Sequence, residues 1–160
     1  MPPADAIVLR DATADDAAAI SALVIASTRR WIAPDCTDDG IAMLVDSMVP
    51  ARIEERLREG HRHVVAEQVA PHHGTRIVGV AVLRLPSHLY HLFVADDMQR
   101  RGIARRLWQA VRYHAAPDAP VTVNASLHAV EAYRRLGFEA AGPARFERGL
   151  RFVPMTRAPR

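Results

Sequence analysis

Val94-Ala95-Asp96-Asp97-Met98-Gln99-Arg100-Arg101-Gly102-Ile103-Ala104 decides how this chain folds, because an apolar run over Leu89, Leu92, Phe93 and Val94 stops inside it and a helical pattern begins. Gly102 and Ala104 leave little side-chain bulk where the helix opens. Backbone N–H groups there can point at a ligand, and the helix dipole adds about half a positive charge. Arg100, Arg101, Arg105 and Arg106 crowd the same end. Cations at that end oppose the dipole, at up to about 1 kcal/mol each. A bound polyphosphate removes the conflict, so the turn reads as an anion site.

Working outward, Ser87 to Val94 reads as the strand before the turn, and Arg100 to Ala115 as a helix with Ile103, Leu107 and Val111 facing inward. Pro117 and Pro120 break the chain before a strand over Val121 to Asn124. Ser126 is placed to cap a helix carrying Ala129, Val130 and Tyr133 to Leu136, with Gly137 just past its end. Phe138 to Ala141 and Leu150 to Thr156 read as two antiparallel strands, and Pro154 marks the second as an edge. Upstream, Ile7 to Arg10 is a first strand, and Thr13 with Asp16 caps a helix whose stripe is Ile20, Leu23, Val24, Ser27 and Trp31, stopped by Pro34. Pro50 separates two short helices, Ile41 to Met48 and Ala51 to Glu59. His61 to Ala70 and Arg76 to Leu85 form a hairpin.

The chain has 160 residues, room for one domain over 1–160, and 49% hydrophobic with 24% charged residues is ordinary for a globular protein. No apolar run approaches the ~18 residues that span a membrane, and Met1 to Asp5 lacks the basic start of a secretory signal. With Cys36 as the one cysteine, no intramolecular disulfide can form and a reducing cytoplasm is expected. All 21 basic residues are arginine, which excludes a lysine nucleophile. A formal net charge of +3, spread along the chain, points away from nucleic acid. His61, His63, His72 and His73 carry no zinc-type spacing, so a solvated hairpin is expected and no metal.

Gln99 to Ala104 reads Q-R-R-G-I-A, which resembles the Q/R-x-x-G-x-G/A signature of the GNAT superfamily of N-acetyltransferases. A second block, Asn124-Ala125-Ser126 followed by Ala132-Tyr133-Arg134-Arg135-Leu136-Gly137-Phe138, resembles the later strand–helix unit of that superfamily ending in Y-x-x-L-G-F. The resemblance is specific from about Ser87 to Phe138. It implies an α+β fold, with a mixed sheet of about seven strands, about four helices and two parallel strands that splay at an acetyl-CoA site.

The same resemblance implies that coenzyme A is held by Leu92, Phe93 and Val94 on the strand, and by Gln99, Arg100, Arg101, Gly102, Ile103, Ala104 and Arg105 at the turn. Asn124, Ser126 and Tyr133 complete the set. Ser126 stands where many relatives have an asparagine. It further implies that the Leu92 amide polarises the thioester carbonyl and that Tyr133 protonates the departing thiolate. His88 occupies the strand position where lysine-acetylating members carry a glutamate base, and an imidazole with a pKa near 6.5 can take a proton at neutral pH. Strand alternation puts His91 on the opposite face, and Glu67 is a further candidate base.

The reading is an acetyl-CoA-dependent N-acetyltransferase transferring directly to a primary amine of a small-molecule or peptide acceptor, with a non-enzymatic acyl-CoA-binding sensor as the alternative. Asp35, Asp38, Asp39 and Asp46 hint at a cationic acceptor. No nucleic-acid or membrane partner is expected.

Overall fold

The computed structural model describes residues 6–160, so the reading of Met1 to Asp5 lies outside the described residues. These form eight strands and five α-helices: β1 (Ala6–Asp11), α1 (Ala17–Ser27), α2 (Asp38–Asp46), α3 (Pro50–Arg58), β2 (Arg62–Ala70), β3 (Gly74–Arg84), β4 (His88–Val94), α4 (Ile103–Arg112), β5 (Val121–Ala125), α5 (Val130–Arg135), β6 (Glu139–Ala140), β7 (Arg145–Glu147) and β8 (Leu150–Arg157). The sheet runs β1-β2-β3-β4-β5-β8-β6, with β7 paired to β8 off this path. Only β4 and β5 pair in parallel. This is the mixed α+β architecture expected from the sequence.

The central strands read as unbroken apolar runs because helices cover both faces. Val78 to Leu83 is buried throughout. On one face Ile103, Leu107, Trp108 and Val111 of α4 pack on Val78, Ala81 and Leu89. On the other, Ile20 and Val24 of α1, Met48 and Ile53 pack on Val65, Val80 and Val82. The start of α1 is fixed by charge: both terminal nitrogens of Arg10 donate to Asp16 at 2.8 Å, and one also reaches Glu67 Oε2 at 2.8 Å. The Thr13 N–H donates to the same Asp16 carboxylate at 2.8 Å, and Arg10 holds that carboxylate below its usual pKa.

Several sequence expectations change. The stripe of α1 does not stop at Pro34; a π-turn over Thr28–Ile32 and a 3-10 turn over Ala33–Asp35 carry the chain on, leaving Trp31 half-buried. The helix expected from Arg100 begins at Ile103, because Arg100 (φ 62°) and Gly102 (φ 77°) both take the left-handed backbone that ends one turn and opens the next. Ser126 precedes a 3-10 turn and its side chain caps nothing. β8 is no edge strand: it lies between β5 and β6, with Pro154 opposite Asn124 and its carbonyl accepting from the Ala141 N–H at 2.8 Å. Proline lacks a donor but keeps its acceptor, so one such bond survives. His63 is buried, whereas His72 and His73 sit exposed in the hairpin turn.

Backbone contacts at Thr37 and Gly40 join the early helices to the late strands. Thr37 caps α2 by accepting from the Gly40 N–H at 3.1 Å, and the Thr37 N–H donates to the Gly149 carbonyl at 2.8 Å. A Cβ on Gly40 would stand 2.6 Å from the Gly149 carbonyl carbon. On an open helix Gly→Ala stabilises by about 0.5–1 kcal/mol. Here the sign should invert: Gly40→Ala should destabilise by about 1–3 kcal/mol, read as a lower urea midpoint at unchanged slope. A raised midpoint would show that the two backbones are not in contact.

Candidate active site

β4 and β5 pair at only two positions, His88↔Thr122 and Leu89↔Val123, and then separate. Antiparallel pairing of β4 to β3 continues, but its register skips Tyr90, so Leu89 faces Leu83 and His91 faces Val82. This bulge bends β4 away from β5. Beyond it, the Ala95 N–H donates to the Val78 carbonyl at 2.8 Å. Phe93, two residues earlier, turns its backbone the same way, so the N–H and C=O groups of Leu92 and Val94 face the gap.

The gap is a cleft of about 750 Å³. His88, Leu92, Phe93 and Val94 line it from β4, and Asn124, Ser126 and Tyr133 from the opposite side. Gln99, Arg100, Gly102, Ile103, Ala104 and Arg105 close its end. Arg101, expected with them, is not among the lining residues, and Arg106 turns away to donate to the Ile7 carbonyl at 3.1 Å. Within α4 the Arg106 N–H bonds the Gly102 carbonyl at 3.1 Å. The three preceding N–H groups, of Ile103, Ala104 and Arg105, therefore have no carbonyl within the helix. They form a cradle for an anion, with Arg100 and Arg105 beside it.

Asp96 and Asp97 are engaged elsewhere and leave those arginines free of their charge. Asp97 pairs with Arg76 at 2.8 Å; Asp96 pairs with Arg30 at 3.0 Å and accepts from Trp31 Nε1 at 2.7 Å. Trp31 also stacks on His128, with ring centres 4.1 Å apart and planes within 10°. This clasp joins the π-turn, the phosphate-type turn and the start of the α5 segment. Sequence reasoning assigned Trp31 to the core and passed over Asp96 and His128, since no local pattern pairs residues so far apart.

Tyr133 is buried, with its ring edge-on to Phe138 at 5.6 Å, and burial raises its hydroxyl pKa, so it keeps its proton across the neutral range. The chain turns sharply behind it: the Gly137 N–H bonds the Arg134 carbonyl at 2.9 Å and the Phe138 N–H bonds the Tyr133 carbonyl at 3.1 Å. Gly137, at φ 93°, is the residue that permits this turn.

His88 places Nδ1 2.8 Å from Thr122 Oγ1. When Nδ1 carries the proton, Nε2 is left as a free acceptor. Burial, and then Arg84, hold His88 below its ordinary pKa, so it is neutral at pH 7. His91 does not lie on the opposite face as strand alternation requires. The bulge at Tyr90 shifts the count by one, and His91 packs against Tyr90 (4.2 Å) and Phe93 (5.4 Å) on the α1–α3 side. It is buried, and burial above all pushes its pKa down to about 3, which leaves it neutral and a poor base. Glu67 lies outside the cleft with its carboxylate held by Arg10, so it serves the α1 anchor and not proton transfer. Cys36 also lies outside, its Sγ accepting from the Arg151 N–H at 3.4 Å.

A family model described as an acetyltransferase (GNAT) domain matches residues 32–158. The chain belongs to the GNAT acetyltransferase family. Among solved structures, a GCN5-related N-acetyltransferase (Aminotransferase, Class-II) from Rhodopseudomonas palustris is 26% identical, with a TM-score of 0.75 over 94% of each chain. The PaiA N-acetyltransferase of Thermoplasma acidophilum, solved in complex with coenzyme A, is 12% identical with a TM-score of 0.73, covering 96% of this chain and 99% of its own. YncA, a putative acetyltransferase from Salmonella typhimurium solved with acetyl-CoA, is 20% identical with a TM-score of 0.66, covering 96% and 94%. No curated protein matches.

The features of this GNAT domain fit coenzyme A: the cradle of N–H groups suits a diphosphate, and the free edge of β4 offers backbone partners to the amides of pantetheine. Among the described residues no cluster of His, Cys, Asp or Glu could hold a metal ion, and no helix is long and apolar enough to cross a membrane. At Gly102 a Cβ meets nothing within 4 Å, so a substitution strains the backbone without a clash. Gly102→Asp should leave a folded protein while calorimetry shows acetyl-CoA affinity falling at least about tenfold, or 1.4 kcal/mol. Unchanged affinity would mean that the diphosphate lies elsewhere.

Proposed function

We propose that this GNAT domain transfers the acetyl group of acetyl-CoA directly to a primary amine. The observation that carries this reading is the parting of β4 from β5 after two residue pairs, which leaves the Leu92 and Val94 backbone groups facing a cleft that ends on the anion cradle. When bound there, acetyl-CoA supplies an activated acetyl thioester. The Leu92 N–H is positioned to hold the carbonyl oxygen as negative charge builds on it, and the Val94 backbone and the α4 start keep the donor in line. Neutral His88, with Nε2 free, takes the proton of the attacking amine directly or through water. Tyr133 gives its proton to the departing sulfur. The thiolate's conjugate acid has a pKa near 8.5, below that of tyrosine, so this step assists departure without deciding it. No covalent enzyme intermediate is required, in keeping with the position of Cys36 outside the cleft.

Incubation with acetyl-CoA and a panel of amine classes, read by mass spectrometry, should give N-acetylated product; tight acetyl-CoA binding with no product from any class would favour an acyl-CoA sensor. Tyr133→Phe keeps the ring packing and should lower kcat by about 10² with little change in acetyl-CoA binding. An unaltered kcat would leave Tyr133 as a packing residue.

Because burial and Arg84 lower the His88 pKa, the acidic limb of kcat/KM should fall below about 6.5: activity is retained above it and lost as falling pH protonates the imidazole. His88→Ala should remove that limb, with partial rescue at alkaline pH where more of the amine is free. A mutant that keeps the wild-type profile at uniformly lower rate would assign His88 to shaping the pocket.

A further inference from the structure

A second cavity, of about 460 Å³, opens between α2, α3 and β4 and shares Tyr90 with the acetyl-CoA cleft. Its size suits a small metabolite. On the inner wall two guanidinium groups lie against the Tyr90 ring, Arg56 at 4.8 Å and Arg84 at 5.4 Å from its centre. One terminal nitrogen of Arg56 donates to the Ser47 carbonyl and, at 3.3 Å, to the Tyr90 hydroxyl. The other, Nη1, is buried with no hydrogen-bond partner. Among the described residues neither Arg56 nor Arg84 forms an ion pair.

Among the described residues none of the acids lining this cavity pairs with that wall. Glu55 is taken by Arg52 at 2.9 Å, Glu59 stands 3.4 Å from His61 Nε2, and Asp46 is exposed at the rim. Of the four aspartates that hinted at a cationic acceptor, only Asp46 reaches the cavity. The positive field extends to the reacting face: Arg84 depresses the basicity of His88 and Arg56 that of His91, each adding to burial. A bare polyamine would bring further positive charge against this wall. An acceptor bearing an oxyanion would instead balance both guanidiniums, whose planar forks match a carboxylate.

We propose that this cavity is the acceptor subsite and that it selects amines of the amino-acid class, whose carboxylate is bound by Arg56 and Arg84 beside Tyr90, a residue that also lines the cleft holding Leu92 and His88. The assignment rests on the acetyltransferase reading above. It specifies what that reading leaves open, the chemical character of the acceptor.

Matched pairs separate the two. Leucine, phenylalanine and glutamine are compared with their carboxamides and with spermidine in acetyl-CoA assays read by mass spectrometry. The free carboxylates should be preferred at least about tenfold in kcat/KM. Among the described residues the Arg84 side chain makes no ion pair or hydrogen bond, so Arg84→Gln is the first variant: the preference should collapse through a raised KM for the carboxylates. Arg56→Lys, which keeps the charge but loses the fork, should weaken it too. Equal or better turnover of carboxamides or spermidine, or a preference untouched by Arg84→Gln, overturns the proposal. If no amine is acetylated, the acetyltransferase reading fails, and the subsite is still decided by calorimetry: N-acetylleucine should bind the protein at least about tenfold tighter than N-acetylleucinamide, and Arg84→Gln should erase that difference. Equal binding of the two overturns the subsite.

Discussion

A pair of parallel strands that stops pairing while still inside the protein is the constraint on which this structure depends. Buried backbone N–H and C=O groups without partners each carry a desolvation cost of about 1–3 kcal/mol. Two parallel strands left to themselves would close. Here the bulge at Tyr90 bends β4, and antiparallel bonding to β3 and to β8 fixes each strand from its outer side. The His88–Thr122 contact lies within the two-residue stretch where the strands still touch, one pair before they part. The open edge is thus imposed by its neighbours, and a ligand that presents amides to it recovers the missing bonds.

The end of the cleft repeats this logic in charge. Arginines at the start of a helix are unfavourable without an anion, and the two left-handed residues at 100 and 102 hold that start in an exposed turn. The surrounding acids are drawn off by Arg30, Arg76 and Trp31. Positive charge therefore persists at two places, the α4 cradle and the Tyr90 wall.

Much of this was legible in the chain. The signature at Gln99 to Ala104 and the block ending at Phe138 each carry local geometry, so the turn, both flanking strands and the helices between them could be placed, together with the Gly137 turn. What could not be read depends on register. Alternation misplaced His91 because a bulge leaves no mark in the sequence, and Pro154 suggested an edge because it has no N–H donor, although its carbonyl still bonds Ala141 inside the sheet. Glu67 looked available until Arg10 was seen to occupy it. Thr122, which holds His88, and the Trp31–Asp96–His128 clasp join distant segments, and single-sequence periodicity holds no record of such partners. The Arg56–Tyr90–Arg84 wall was hidden for the same reason.

The insertion of β8 between β5 and β6 bears on when the site comes into being. β5 meets β4 at only two pairs, so most of its bonding is to Leu150–Arg157. The Gly149 carbonyl, just ahead of that strand, takes the Thr37 backbone from 112 residues away. Contacts over such separations form only after a large loop-closure entropy has been met. During synthesis from the N-terminus, β1 to β4 and α1 to α4 can collapse early, yet the far wall of the cleft has no anchor until the last strand arrives. Catalytic competence is therefore coupled to completion of the sheet, and a partly made chain exposes a half-cleft that it cannot use.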